Sequence, residues 1–190
     1  MVMKVYEADL GGVFVIEPDV FEDERGCFLE TFHSDRYLAS GIASTFCQDN
    51  LSISKAGVLR GLHFQNPNAQ AKLIYVTLGE VFDVVVDVRW GSPTFGQWAS
   101  VYLSGKNKRQ LYVPEGFAHG FCVTSDTATL AYKCSDLYVP GSELSVLWND
   151  ADIAIDWPVA DPVVSEKDLA APRLKDLDRD RLPVYALLTQ

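Results

Sequence analysis

The sequence predicts an all-β protein, a sandwich or barrel trimmed with a few short helices mainly near the C-terminus. Short runs rich in β-branched and aromatic residues recur along the chain, and turn signals separate them at regular intervals. Val13-Phe14-Val15-Ile16 and Cys27-Phe28-Leu29-Glu30-Thr31-Phe32 open the series, and Leu73-Ile74-Tyr75-Val76-Thr77-Leu78 continues it. Beyond the Gly79-Glu80 turn, Val81-Phe82-Asp83-Val84-Val85-Val86-Asp87-Val88 alternates well enough for a half-buried strand, with Asp83 and Asp87 on one face. Trp98-Ala99-Ser100-Val101-Tyr102-Leu103, Gln110-Leu111-Tyr112-Val113, Gly120-Phe121-Cys122-Val123 and Thr129-Leu130-Ala131-Tyr132-Lys133 complete the set. Gly91-Ser92-Pro93, Gly105-Lys106-Asn107, Pro114-Glu115-Gly116 and Pro140-Gly141 supply the turns.

Helix is sparse. Ser34 is expected to cap Asp35-Arg36-Tyr37-Leu38-Ala39-Ser40, which Gly41 ends. Ser165 is expected to cap Glu166-Lys167-Asp168, leading into Leu169-Ala170-Ala171 before Pro172 interrupts. Leu174 and Leu177 suit a last short helix ahead of Asp178-Arg179-Asp180-Arg181. With no repeat, low-complexity tract or linker, the expectation is one domain over residues 1–190, with a short helical segment at about 165–190.

Composition narrows the function classes. At 190 residues and 48% apolar, the chain can bury a core without covalent staples. Sixteen basic against 26 acidic residues give a net charge of −10, which argues against nucleic acid as a partner because no basic stripe is available for phosphates. An anionic ligand must then be met by a few placed Arg and Lys side chains. Cys27, Cys47, Cys122 and Cys134 form no C-x-x-C pair and read as reduced core or wall thiols. The start, from Met1 to Glu7, has no apolar signal region, and no run reaches about 18 apolar residues, so a cytoplasmic protein without a membrane partner is expected.

Two histidines in unequal settings carry the chemistry. His63 lies in Val58-Leu59-Arg60-Gly61-Leu62-His63-Phe64-Gln65, and His119 in Pro114-Glu115-Gly116-Phe117-Ala118-His119-Gly120-Phe121. The third, His33, is expected only to pack. A Pro-x-Gly-x-x-His run between strands resembles the second signature of the cupin jelly roll. The first cupin signature reads His-x-His and supplies metal ligands, whereas this chain reads His63-Phe64-Gln65. The implied fold is a cupin-type jelly roll, and the implied chemistry is acid–base work with neither metal nor cofactor.

Further runs make the resemblance specific. Asp23-Glu24-Arg25-Gly26, Gln48-Asp49-Asn50-Leu51-Ser52, Leu59 to Gln65, Gly91-Ser92-Pro93-Thr94-Phe95-Gly96, Gly116 to Phe121, Trp148-Asn149-Asp150 and Ser165-Glu166-Lys167-Asp168 occur in order. Over residues 10–175 the chain resembles the dTDP-4-dehydrorhamnose 3,5-epimerases. The resemblance implies inversion at C3 and C5 of dTDP-4-dehydro-6-deoxy-D-glucose, two carbons flanking a ketone. Such C–H bonds become acidic only when the ketone oxygen is stabilised as an enolate, so a base, a donor on the opposite face and positive charge at the oxygen are required. By position, His63 matches the base and Asp168 its carboxylate partner. Tyr132 matches the opposing proton donor, and Lys72 the charge near the enolate oxygen. Arg25, Arg60 and Lys167 match diphosphate or sugar contacts. Glu30, Gln48, Asp49, Asn50, His119 and Glu143 match contacts to sugar, ribose or base, and Tyr138 a stacking face for thymine. The family also implies a homodimer in which Arg25 and Glu30 reach the partner's site.

Read singly, each residue has a plainer role. Asp168 suits a first helical turn, Tyr132 a core or rim aromatic, and Lys72 the solvated start of a strand. Three other functions compete: a mono-epimerase of a related dTDP-4-keto-6-deoxyhexose, a metal-dependent cupin enzyme, and a nucleotide-sugar-binding barrel without activity.

Overall fold

A computed structural model describes residues 3–42 and 45–185. The strands are β1 (Lys4–Glu7), β2 (Phe14–Glu17), β3 (Val20–Asp23), β4 (Gly26–Leu29), β5 (Gln48–Lys55), β6 (Leu59–Gln65) and β7 (Lys72–Leu78). They continue with β8 (Glu80–Asp87), β9 (Trp98–Ser104), β10 (Gln110–Val113), β11 (Phe117–Val123), β12 (Thr127–Cys134) and β13 (Glu143–Ser145). Helix α1 covers Ser34–Ala39 and α2 covers Glu166–Leu169. The strands form a six-stranded sheet in the order β1-β2-β10-β7-β12-β5 and a five-stranded sheet in the order β13-β6-β11-β8-β9, while β3 and β4 make a separate hairpin. All strand pairs are antiparallel. This is the expected all-β jelly-roll architecture.

Alternation along the strands divides the apolar residues among three clusters. Ile74, Val76, Leu111 and Leu130 from the six-stranded sheet meet Val81, Val85, Leu103 and Phe121 from the five-stranded sheet between the two layers. Phe82, Val84 and Val86 point the other way and are covered by Ile153, Leu174 and Leu182 from the C-terminal segment. On the outer face of the six-stranded sheet, Ile16, Leu73 and Tyr112 receive Tyr37 and Ile42 from the α1 region.

That packing revises several sequence expectations. Asp83 and Asp87 do share a face of β8, but Val81–Asp87 is buried on both faces because the C-terminal segment covers the outer one. Ser34 is the first residue of α1 instead of its cap; His33 holds the N-cap position without a side-chain bond. Ser165 does cap α2, its side chain accepting from the Asp168 backbone N–H. Beyond α2 the C-terminal segment forms single 3₁₀ turns at Leu174–Asp176 and Arg179–Arg181; residues 186–190, the end of the expected helical segment, lie outside the described residues. All four cysteines are free, yet only Cys122 and Cys134 are buried, while Cys27 and Cys47 are exposed. Among the described residues no helix is long and apolar enough to cross a membrane.

Candidate active site

The barrel is apolar at one end and polar at the other. On the six-stranded sheet, the parity that sends Ile74 and Leu130 into the core also turns Lys72 and Tyr132 inward. Gln48, Asn50 and Ser52 share the inner face of edge strand β5, and Cys134 follows on β12. Opposite them, β6 contributes Arg60 and His63, and β11 contributes His119 and Phe121. The main cavity is about 540 Å³, and an adjoining one of about 200 Å³ shares His63, Lys72 and Tyr132 with it.

Arg60 and His63 are three residues apart, so a regular strand would send them to opposite faces. An irregularity solves this. His63 pairs with His119 and Arg60 with Phe121, so two residues of β6, Gly61 and Leu62, stand against Gly120 alone. Gly61 has φ +132°, and a Cβ there would fall 2.5 Å from the Gly120 Cα. Only glycine fits that approach.

Asp168 reaches the cavity from far along the chain. Val163 forms a parallel bridge with Val58, its N–H donating to Gly57 O and its carbonyl accepting from Leu59 N. This lays the segment on the barrel rim, where α2 turns Asp168 inward. One Asp168 oxygen lies 2.6 Å from His63 Nε2, and the other accepts from the Gly61 N–H at 3.4 Å. Burial works to raise the Asp168 carboxyl, but the hydrogen bond and charge of His63, with help from Gly61 and Ser165, hold it below its ordinary value. The His63 ring is part of the cavity wall.

The other polar groups are held less directly. Burial pushes the Lys72 ammonium down, countered by Cys134, Asp83 and Glu143, and Lys72 has no ion-pair partner among the described residues. Burial likewise raises the Tyr132 hydroxyl, reinforced by Cys134 and Glu143 against the charge of Arg60. His119 Nε2 contacts both oxygens of Asp83, at 2.9 and 3.0 Å. At the rim, Glu143 accepts from both the Tyr138 hydroxyl and Lys167, while Gln48 accepts from the Tyr138 N–H.

Three expected site residues do not reach this cavity. Asp49 has the wrong parity on β5 and pairs on the outside with Lys133 at 2.9 Å. Arg25 sits at the tip of the β3–β4 hairpin, bonded to Asp23. Glu30 is bonded to Arg36. Sequence reasoning also missed Asp83, Ser52, Phe121 and Val164 as parts of the site. For Asp83 there was a signal, an acidic residue with inward parity inside a run of valines.

A resident metal does not fit the donors. Among the described residues no group of three or more His, Cys, Asp or Glu converges on a point. His63 and His119 are each bonded to a carboxylate, and the Gln65 amide is committed to Asn68 O, Leu137 O and Val139 N.

The cavity sets a His–Asp pair, its histidine on one sheet, against a tyrosine and a lysine on the other. The sequence model of the dTDP-4-dehydrorhamnose 3,5-epimerases matches residues 7–176. The chain belongs to the dTDP-4-dehydrorhamnose 3,5-epimerase family. A family member from Salmonella typhimurium strain LT2 is 53% identical over 175 residues, covering 90% of this chain and 96% of that protein. Another from Shigella flexneri is 50% identical over 178 residues, covering 93% and 98%. The solved dTDP-6-deoxy-D-glucose-3,5-epimerase of Legionella pneumophila Philadelphia 1, in complex with dTDP-4-keto-L-rhamnose, superposes with a TM-score of 0.95 at 50% identity, covering 98% of this chain and all of that one. Membership of the epimerase family makes the chain an isomerase by class.

Proposed function

We propose that this chain inverts C3 and C5 of dTDP-4-dehydro-6-deoxy-D-glucose, giving dTDP-4-dehydro-L-rhamnose, without a cofactor. The observation that carries the reading is the 2.6 Å contact between His63 and Asp168 at the wall of a cavity whose opposite wall holds Lys72 and Tyr132. His63 takes the proton from the carbon beside the ketone. Asp168 stabilises the imidazolium so formed and fixes the ring. The electron pair left on carbon moves into the ketone, and Lys72 meets the negative oxygen. Tyr132, on the opposite sheet, returns a proton to the other face, which inverts the centre. Once His63 has given its proton to solvent and Tyr132 has regained one, a second round at the second carbon completes the product. Family membership and the dTDP-4-keto-L-rhamnose held by the Legionella relative support this substrate.

Arg60 and Lys167 line the same cavity and suit the diphosphate. Tyr138, half exposed at the rim, suits the thymine. A homodimer belongs to the same reading. Leu51 and Ile53 are 63% and 68% exposed on the outer face of β5, and Phe21 and Phe28 face each other across the uncovered hairpin that carries Arg25. Arg25 and Glu30 would then serve the partner's cavity. Incubation with the substrate in deuterated water, followed by proton NMR, should place label at both C3 and C5. Label at one carbon only would replace the reading with mono-epimerisation, and label at neither would overturn it.

A further inference from the structure

The mechanism above leaves a buried carboxylate beside the cavity without a task. Asp83 has no solvent exposure and lies on β8, the strand next to β11 and the second neighbour of β6. Its two oxygens converge on His119 Nε2, and His119 lies directly across from His63 in the β6–β11 pair. The cavity thus has a second His–Asp contact next to the one that suits proton abstraction. The residues differ in their surroundings. The side chain of His63 is 29% exposed and open to a reacting carbon, whereas that of His119 is 8% exposed and its partner is sealed.

Strand parity turns Asp83, between Val81 and Val85 on β8, and Lys72, two residues before Ile74 on β7, towards the same layer between the sheets. The groups around Lys72 are Asp83 on β8, Cys134 and Tyr132 on β12, Glu143 on β13, Tyr138 before it, Arg60 and His63 on β6, His119 on β11, and Lys167 and Asp168 on α2. Of the carboxylates, Glu143 is already bonded to Lys167 and Tyr138, and Asp168 to His63. Asp83 bonds through both oxygens to His119, and its charge lies in the same buried layer as Lys72. A buried carboxylate is costly without a cation nearby, and a buried ammonium is costly without an anion.

We propose that Asp83 is a positioning residue for the enolate side of the site, orienting His119 through both oxygens and acting as the buried counter-charge of Lys72. The proposal rests on the epimerase reading and deepens it. Burial drives both Asp83 and Lys72 towards their neutral forms, and each opposes that drive in the other. A neutral amine stabilises an enolate poorly, so removal of the Asp83 charge weakens Lys72 at the step where its charge counts. His119, steered by Asp83, directs its other ring nitrogen to the cavity and limits how the sugar lies against Lys72.

The test compares D83N with wild type by deuterium exchange at saturating substrate across pH. Asparagine keeps the shape and an oxygen that accepts from His119, so the substitution removes charge with little change of volume. The expected kcat falls about a hundredfold, the effect of losing one stabiliser of an oxyanion. KM should stay within about threefold, and the alkaline limb of kcat should move down by about one pH unit as Lys72 loses its proton more easily. A D83N kcat within about threefold of wild type, or a large loss with an unmoved alkaline limb, overturns the proposal. Should D83N not fold, H119Q carries the test. It should lose at least about tenfold in kcat while its alkaline limb stays at the wild-type position, because the Asp83 charge still lies in the layer of Lys72. A wild-type rate or a shifted limb in H119Q overturns it. Wild-type exchange is measured first. Its absence defeats the epimerase reading itself, whereas wild-type exchange with an indifferent D83N defeats this inference alone.

Discussion

Asp168 meets His63 across 105 positions of sequence, and their contact ties catalysis to stability. His63 holds the Asp168 carboxyl below its ordinary value of 3.8. A carboxyl depressed in the folded state stabilises the fold above that ordinary value, and the stabilisation drains as pH falls through the folded one. The acid limb of stability should therefore steepen below pH 3.8, and H63N should flatten it, as thermal melts at graded pH would show. On the proposed mechanism the same variant also removes the base. Exchange at both C3 and C5 should fall by about a thousandfold, within the range of acid–base effects. Y132F should behave differently, since it lacks only the returning proton. Label should still wash into one carbon while net inversion slows. Equal loss of washout in H63N and Y132F would show that the two side chains do not divide the work by face.

At the level of elements, the strands that carry the core were legible. The runs ending in β7, β8, β9, β10 and β12 read as strands because their apolar residues alternate or crowd between turns. Strands β5 and β6 were visible only as motifs. Gln48, Asn50 and Ser52 of β5 are polar because that face lines a cavity, and Leu59–Gln65 breaks period two at Gly61-Leu62. Parity also explains the error at Asp49, whose neighbours Gln48 and Asn50 do face the cavity while Asp49 cannot. Asp168 was legible only through family resemblance, because no local pattern links α2 to the rim of β6. Two predictions belong here. S165A removes the cap of α2, an effect of about 1 kcal/mol. In a chain of this size that should lower Tm by about 2–4 °C in calorimetry. Exchange should slow with it, because Asp168 rides on the uncapped turn. G61A should cost more, as its Cβ would strike the Gly120 backbone at 2.5 Å. We expect it to yield little folded protein, and a G61A variant with wild-type Tm would mean that β6 can straighten without loss.

On the scale of the whole molecule, the net charge of −10 disfavours a nucleoside diphosphate sugar, so binding depends on a few cations. Arg60, Lys72 and Lys167 line the cavity, and the described chain directs no further Arg or Lys into it. Arg25 stands apart at a hairpin tip, its guanidinium on Asp23, in a hairpin whose Phe21 and Phe28 are 51% and 64% exposed. A second copy seated on the exposed Leu51 and Ile53 would explain both the apolar edge and the detached arginine. Twofold symmetry then makes a sharp test possible. R25A and H63N are each expected to be nearly inactive as pure proteins. If Arg25 serves the partner's cavity, a mixed dimer gathers both lesions in one site and leaves the other intact. Random association makes half of the dimers mixed, so co-expression should restore about a quarter of wild-type sites. If Arg25 serves its own cavity, every site in a mixed dimer keeps one lesion and nothing is restored. I53E should abolish the recovery by separating the copies, with sedimentation reporting a monomer. Recovery that persists in I53E with sedimentation still reporting a dimer would place the exchange of Arg25 elsewhere than across this edge.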